Sequence, residues 1–433
     1  MKNELPVSAN ARSVVTQLQK AGYETYIVGG AIRDMLLGRT PKDFDISTAA
    51  TPEEIRQVFG RRSARIIGKR FRLAHVYSGR ELFEVATFRK APGKKDLAEH
   101  QNGGNDDLPD NLTMSDNSFG TSKEDAARRD FTVNALFYDP EKKEIKDFTG
   151  KGLEDMERGI VRAIGNPSLR FEEDPVRMLR ALKLVAQFDF SLESSTENAL
   201  FDALPLLAHA ASGRLSLELE KILKSNYCDR HFEVFFDYGL LNYFLPFLAE
   251  NWGTPPCRRA IDLLYERNCR IEAGIYRDSI SLALAAVILP FATAQAGSRN
   301  EYLERTLKND EILYRYASEV FAPQTLMVKV REAAVRIIQM QAMLETADTG
   351  SIPQLMRYKS YAHARELLII RHLANGEDVS ALESRFPKGN DPQEFYRIAG
   401  HSRQAKHPVR NRSGKKPFHK RRKRPELPPD FNE

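Results

Sequence analysis

The chain has 433 residues, of which 65 are Lys or Arg and 59 are Asp or Glu, giving a formal net charge of +6. Hydrophobic residues make up 42%, which excludes a collagen, a disordered chain or a small disulfide scaffold, and the length suffices for two or more packed units. The charge is unevenly spread: residues 403–424 hold eleven Lys or Arg and no acid, so the rest of the chain stands at −5.

Residues 9–21 read as a helix stopped by Gly22, and residues 23–28 (YETYIV) as a strand. Gly29-Gly30 turns that strand into a short helix ending at Gly38, and residues 43–48 (DFDIST) form the next strand. Thr51-Pro52-Glu53-Glu54 is a helix start, with Pro at the first helical position and Glu54 placed for a capping box. Strands follow at about 64–67, 71–78 and 81–88, with a hairpin expected at Gly79. Residues 91–122 then break the pattern, with four Gly and six acids against two Lys, and are expected to be a flexible loop.

From about residue 150 the chain turns helical, with no strand expected beyond that point. One helix is expected over 174–188, capped by Asp174 with Pro175 at its first position. The longest apolar stretch runs from Ile280 to Ala294. It is short for a membrane span, and a buried helix ended or kinked by Pro290 is expected. Past residue 401 the chain is rich in Pro, Lys and Arg, which fits disorder.

Cys228, Cys257 and Cys269 match no zinc spacing, and an odd count makes a poor disulfide framework. Free thiols in a reducing cytoplasm are expected. The N-terminal MKNELPVSANARSVV lacks the apolar core of a signal peptide.

Three features in the first ninety residues carry chemistry. Gly29-Gly30-Ala31-Ile32-Arg33-Asp34 sits at a strand-to-helix turn, where glycines let backbone approach a ligand and Arg33 can offer donors to a phosphate. Asp43 and Asp45, two apart on a strand, share a face; two carboxylates there suit Mg²⁺, although an isolated D-x-D also fits a solvated acidic edge. Glu84 lies in LFEVATF, where both faces look apolar, so partial burial is expected. Its carboxylate then serves a metal or pairs with Arg72 or Arg89. Together the three describe a metal–nucleotide site.

GGAIRDMLLG, PKDFDIST, EVATFR, EDAARRDFTVNALFYD and EDPVRMLRALK, in this order over residues 28–188, resemble the class II tRNA nucleotidyltransferase and bacterial poly(A) polymerase family. The resemblance implies a polymerase-β-like α/β head at 1–150, a helical neck at 151–230 that contacts base and RNA, a helical body at 231–400 and a basic tail at 401–433. It implies transfer of a nucleoside monophosphate from a triphosphate to an RNA 3′ hydroxyl. Asp43 and Asp45, with Glu84 on the neighbouring strand, then hold two Mg²⁺. Gly29, Gly30 and Arg33 match the triphosphate turn, and Arg128, Arg129, Asp130 and Asn134 match a motif lining the nucleotide pocket. Asp174 and Arg177 match the motif that reads the incoming base, where Asp accepts from an exocyclic amine and Arg donates to a ring nitrogen. Locally, an N-cap with an intrahelical ion pair explains those two residues as well. Arg180 shares their face and is expected near ribose or phosphate.

Ile66-Ile67-Gly68-Lys69-Arg70-Phe71-Arg72-Leu73-Ala74-His75-Val76 resembles the element that marks bacterial poly(A) polymerases, with Tyr77 departing from the expected type. No His-Asp dipeptide occurs, so there is no sign of the phosphohydrolase domain joined to many CCA-adding enzymes. The expected activity is therefore AMP transfer from ATP to RNA 3′ ends, of mRNA and structured RNAs. CCA addition to tRNA is the alternative, and a non-catalytic RNA-binding protein on the same fold the alternative of another class. The tail at 403–424 is expected to hold RNA through phosphates, RNA-decay proteins are the expected protein partners, and the expected state is a monomer. Arg214–Glu220 is expected to serve packing.

Overall fold

The computed structural model describes residues 4–68, 73–90, 119–296 and 310–389. The chain divides into two compact units, Met1–Leu206 and Leu207–Glu433. The expected flexible loop, apart from residues 119–122, and the basic tail lie outside the described residues.

The first unit begins with α1 (Ala9–Lys20), capped by the Ser8 hydroxyl, which accepts from the Ala11 amide at 3.1 Å. Its apolar face buries Val14, Val15 and Leu18. β1 (Thr25–Val28), α2 (Gly30–Leu36) and β2 (Asp45–Thr48) follow. α3 (Pro52–Ser63) opens with the expected capping box: the Glu54 carboxylate accepts from the Thr51 amide at 2.7 Å, and the Thr51 hydroxyl accepts from the Glu54 amide. β3 (Ala64–Ile67), β4 (Leu73–Ser78), β5 (Glu81–Thr87), β6 (Leu136–Asp139) and β7 (Glu144–Asp147) complete a seven-stranded sheet in the order β3-β4-β5-β2-β1-β6-β7. β2 and β5 run parallel; the other pairs are antiparallel. Tyr26, Val28, Phe88, Ala126 and Phe137 form a core cluster, with Phe148 packed against it. Tyr26 and Phe137 meet edge to face, 5.8 Å between centroids.

Two expectations of strand placement need correction. β2 starts at Asp45, so Asp43 lies in the preceding loop, not on the same strand face. Strands also occur after residue 150: β8 (Ile160–Val161) pairs in parallel with β9 (Ser191–Leu192). Two residues are too few to show a period of two. The helix expected from 174 runs over Val176–Phe188 with Pro175 at its cap position, and Asp174 instead ends the helix Pro167–Glu173.

Among its described residues the second unit is helical. Its long helices are Ser212–Lys224, Cys228–Asp237, Pro255–Glu272, Ile280–Ala296, Val328–Glu345 and Tyr361–Leu373. Ile280–Ala296 is the expected buried helix; Pro290 lies inside it, and Leu282 through Leu289 are buried. Among the described residues no helix is long and apolar enough to cross a membrane. Leu215 and Leu219 of the Arg214–Glu220 segment are buried, as a packing role requires. The interior also holds charge: Arg270 bonds Glu366 and Glu383, and Arg267 donates to the carbonyls of Leu223 and Ser225 at 2.7 and 3.1 Å. The three cysteines are free, with Cys228 and Cys257 buried.

Candidate active site

The site gathers at one end of the central strands of the first unit. β2 delivers Asp45, and the parallel register Ile46↔Val85 sets Asp45 level with Glu84 on the adjacent strand. Partners in register point to one face. Asp45 remains open to solvent on one side while protein crowds the rest of it. Burial is the main cause that pushes its pKa up to about 6, followed by the negative charges of Asp43 and Glu84; Arg129 pulls the other way.

Glu84 is not partly buried: its side chain is 60% exposed, and His75 Nε2 stands 3.7 Å from Oε1. The sheet face it occupies is open, which the apolar neighbours in sequence disguised. Among the described residues, no three His, Cys, Asp or Glu side chains converge on one point as metal ligands. Mg²⁺ needs only one or two carboxylates when phosphate oxygens complete its shell. A carboxylate raised by desolvation and by two like charges is a site that a cation relieves, so Asp45 and Asp43 fit that ion.

Gly29 stands beside Asp45 and Arg129. Its φ of +78° suits glycine, and a Cβ there would stand 3.3 Å from Arg129 Nη1 and 4.0 Å from Asp45 Oδ2. Arg33 turns back into the protein: Nε and Nη2 donate to Asp34 Oδ1 at 3.0 and 2.7 Å, and Nη1 donates to Asn134 Oδ1 at 2.6 Å. Its guanidinium also lies 4.5 Å over the Phe188 ring.

The Arg128-Arg129 pair is organised by a buried acid that the sequence reading passed over. Asp125 Oδ1 accepts from Arg128 Nε at 3.1 Å, and Asp125 Oδ2 accepts from Arg129 Nη2 at 3.0 Å. Arg129 Nη2 also reaches Ser47 Oγ at 3.3 Å, which ties it to β2 beside Asp45.

A continuous set of hydrogen bonds then links the glycine turn to the expected base-reading residues. Arg33 donates to Asn134, and Asn134 Nδ2 donates to Asp130 Oδ1 at 3.2 Å. Arg180 Nη1 donates to Asp130 Oδ2 at 3.3 Å, and Arg180 Nη2 donates to Asp174 Oδ2 at 3.0 Å. The other oxygen of Asp174 accepts from the Val176 amide at 3.2 Å, at the first residue of that helix. Arg177 Nη1 donates to Glu173 Oε2 at 2.9 Å and to the Arg170 carbonyl at 2.6 Å.

Arg170 is the second residue missed. Its Nη2 donates to the carbonyls of Arg128 and Arg129 at 2.5 and 2.7 Å, and its Nη1 to Glu173 at 2.9 Å. Burial lowers its pKa, yet its ordinary value is so high that it stays charged. It pins the Arg-Arg turn to the helix carrying Glu173. Position alone does not signal this, because its carbonyl partners are 41 and 42 residues away. The Nε atoms of Arg129 and Arg180 are buried and make no hydrogen bond among the described residues.

Comparison with known proteins decides the family. Residues 25–162 match the poly A polymerase head domain, and residues 189–251 match the probable RNA and SrmB-binding site of polymerase A. The chain is 34% identical over 387 residues to poly(A) polymerase I of Haemophilus influenzae, covering 86% of this chain and 82% of that one. The chain belongs to the family of bacterial poly(A) polymerases and CCA-adding enzymes. It is a nucleotidyltransferase, with a polymerase-β-like head followed by helical regions. A CCA-adding enzyme of Geobacillus thermodenitrificans is 36% identical over 245 residues, or 57% of this chain and 56% of its own. The fold is shared with the crystal structure of the Bacillus stearothermophilus CCA-adding enzyme in complex with CTP, at 24% identity and a TM-score of 0.58 over 92% of this chain and 88% of that one. The family's head domain spans every candidate residue from Gly29 to Asn134; Asp174, Arg177 and Arg180 lie between the two matched segments.

Proposed function

We propose that this chain is a poly(A) polymerase that transfers AMP from ATP to the 3′ hydroxyl of RNA without a template. The observation that carries the chemistry is Asp45, level with Glu84 on the adjacent strand, repelled by Asp43 and Glu84, and facing the Gly29 turn. What favours poly(A) over CCA addition is the extent of likeness: the poly(A) polymerase I relative matches 86% of the chain and the CCA-adding relative 57%.

Asp43 and Asp45 would hold Mg²⁺, two ions by the resemblance of the site. When bound, the metal neutralises phosphate charge and eases loss of the 3′-hydroxyl proton. The protein's own residues supply the rest. Glu84, on an open face beside Asp45, takes the proton of the attacking hydroxyl. Gly29 and Gly30 allow the triphosphate to approach the backbone, while Arg129 and Arg128 balance its charge from the Asp125 anchor. Asp174 accepts from the exocyclic amine of adenine and Arg177 donates to a ring nitrogen. Arg180 fixes Asp174 and Asp130 together, and Arg33 and Asn134 carry that order to the glycine turn. Pyrophosphate leaves as the hydroxyl attacks the α-phosphorus in line.

RNA is held by the segment matching the RNA-binding site and by the basic tail, through phosphates and without sequence preference. The free cysteines support a cytoplasmic setting. Replacing Asp45 with Ala tests the assignment: AMP incorporation is lost while RNA binding stays close to wild type. A variant that still extends RNA would remove Asp45 from the site.

A further inference from the structure

We propose that the exposed outer face of β3, β4 and β5 seats the last nucleotides of the RNA primer, with Tyr77 as the surface on which a base stacks. The proposal rests on the reading of Asp45 and Glu84 as the reaction centre.

Register defines this face. His75 pairs with Glu84, Tyr77 with Leu82, Arg65 with His75 and Ile67 with Leu73. Residues in register share a face, so Arg65, Ile67, His75, Tyr77, Leu82 and Glu84 line one side. The alternate positions Ala64, Ala74, Val76, Phe83 and Val85 are buried on the other side. Asp45, level with Glu84 on β2, belongs to the outer face as well. The reaction centre and the open surface are therefore one continuous plane.

The chemistry of that plane is not that of an ordinary solvated sheet. Tyr77 is 43% exposed and Leu82, its partner in register, 48%, two large side chains placed together in water; Ile67, 41% exposed, lies farther along the same face. The Arg65 guanidinium lies 5.8 Å from the Tyr77 ring centroid. An aromatic ring with a cation beside it and apolar neighbours is a stacking platform for single-stranded nucleic acid. Stacking ignores base identity, because every base has a π-face, and so suits an enzyme that must accept varied ends. Tyr77 is two strands from β2, about 10 Å across the sheet by ordinary strand spacing. A strand of RNA that stacks there can still place its terminal hydroxyl at Asp45.

The test uses the full-length chain and a short oligo(A) RNA labelled at its 5′ end, at raised salt so that attraction to the basic tail is screened. Fluorescence anisotropy measures RNA affinity without ATP, and steady-state kinetics measure KM for RNA and for ATP. Tyr77→Ala is expected to weaken RNA binding about tenfold and raise KM for RNA in step, with KM for ATP unchanged. Tyr77→Phe keeps wild-type affinity, and Arg65→Gln falls between. Equal RNA affinity in Tyr77→Ala and wild type overturns the surface, whatever the activity does. AMP incorporation by the wild-type chain judges the functional reading separately. A wild type that binds oligo(A) through Tyr77 yet adds no AMP sinks that reading and keeps the surface.

Discussion

Arg180 Nη2 donates to Asp174 Oδ2 at 3.0 Å, so the carboxylate assigned to the base is held by a residue from farther along the next helix. Arg180 Nη1 also grips Asp130, and one planar fork thereby serves two carboxylates. Replacing Arg180 with Ala should lower kcat/KM for ATP by about tenfold or more, the scale of a lost charged hydrogen bond. Arg180→Lys should recover only part, since a single ammonium does not span both acids. Steady-state kinetics with ATP read this directly, and an unchanged kcat/KM in Arg180→Ala would contradict the role.

Asp45 has a pKa of about 6 in the fold, above its ordinary 3.8. The folded protein holds this proton more tightly than the unfolded chain, so ionisation costs stability as pH rises between about 4 and 6, and the cost is complete above that window. Asp45→Asn removes the charge. Its Tm should exceed that of the wild type at neutral pH without metal, and the gap should close below about pH 4. Added Mg²⁺ should raise the Tm of the wild type and not of the variant. A Tm gap that does not change with pH would remove the electrostatic account.

Within the second unit, Arg270 and Glu366 are both buried and bonded to each other. Glu366→Gln leaves a buried guanidinium with less charge to balance it, and a loss of about 3 kcal/mol in unfolding free energy is expected. Urea denaturation measures it. KM for ATP should not move, because the pair belongs to the second unit and not to the nucleotide site.

Truncation after residue 400 removes the run of eleven basic residues. RNA affinity should fall and its dependence on salt should flatten, while the shortened chain still adds AMP. Binding titrations at several salt concentrations test this, and an identical slope would show that the tail does not meet RNA.

Much of the first unit was legible because its signals are local. Strand-prone runs broken at Gly79 marked β3 to β5, Gly29-Gly30 marked a turn, and Thr51 with Glu54 marked the start of α3. β8 and β9 were hidden, because two-residue strands whose partners lie 31 residues apart carry no pattern of their own. Glu84 was misread for a different reason. Its neighbours Leu82 and Ala86 look like a second buried face, but that face of β5 is open, which only the sheet order reveals. Asp125 and Arg170 escaped because their meaning lies in contacts: one braces two arginines, the other two distant carbonyls. The motifs pointed to the chemistry, but the network joining Arg33 to Asp174 through Asn134, Asp130 and Arg180 needed the fold.

The most direct measurement incubates the purified chain and Mg²⁺ with each single nucleoside triphosphate and two RNAs, a tRNA lacking its CCA end and a generic oligonucleotide. Long extension of the generic RNA with ATP alone is the expected result. Use of CTP, stopping after a fixed short addition to the tRNA, would contradict it.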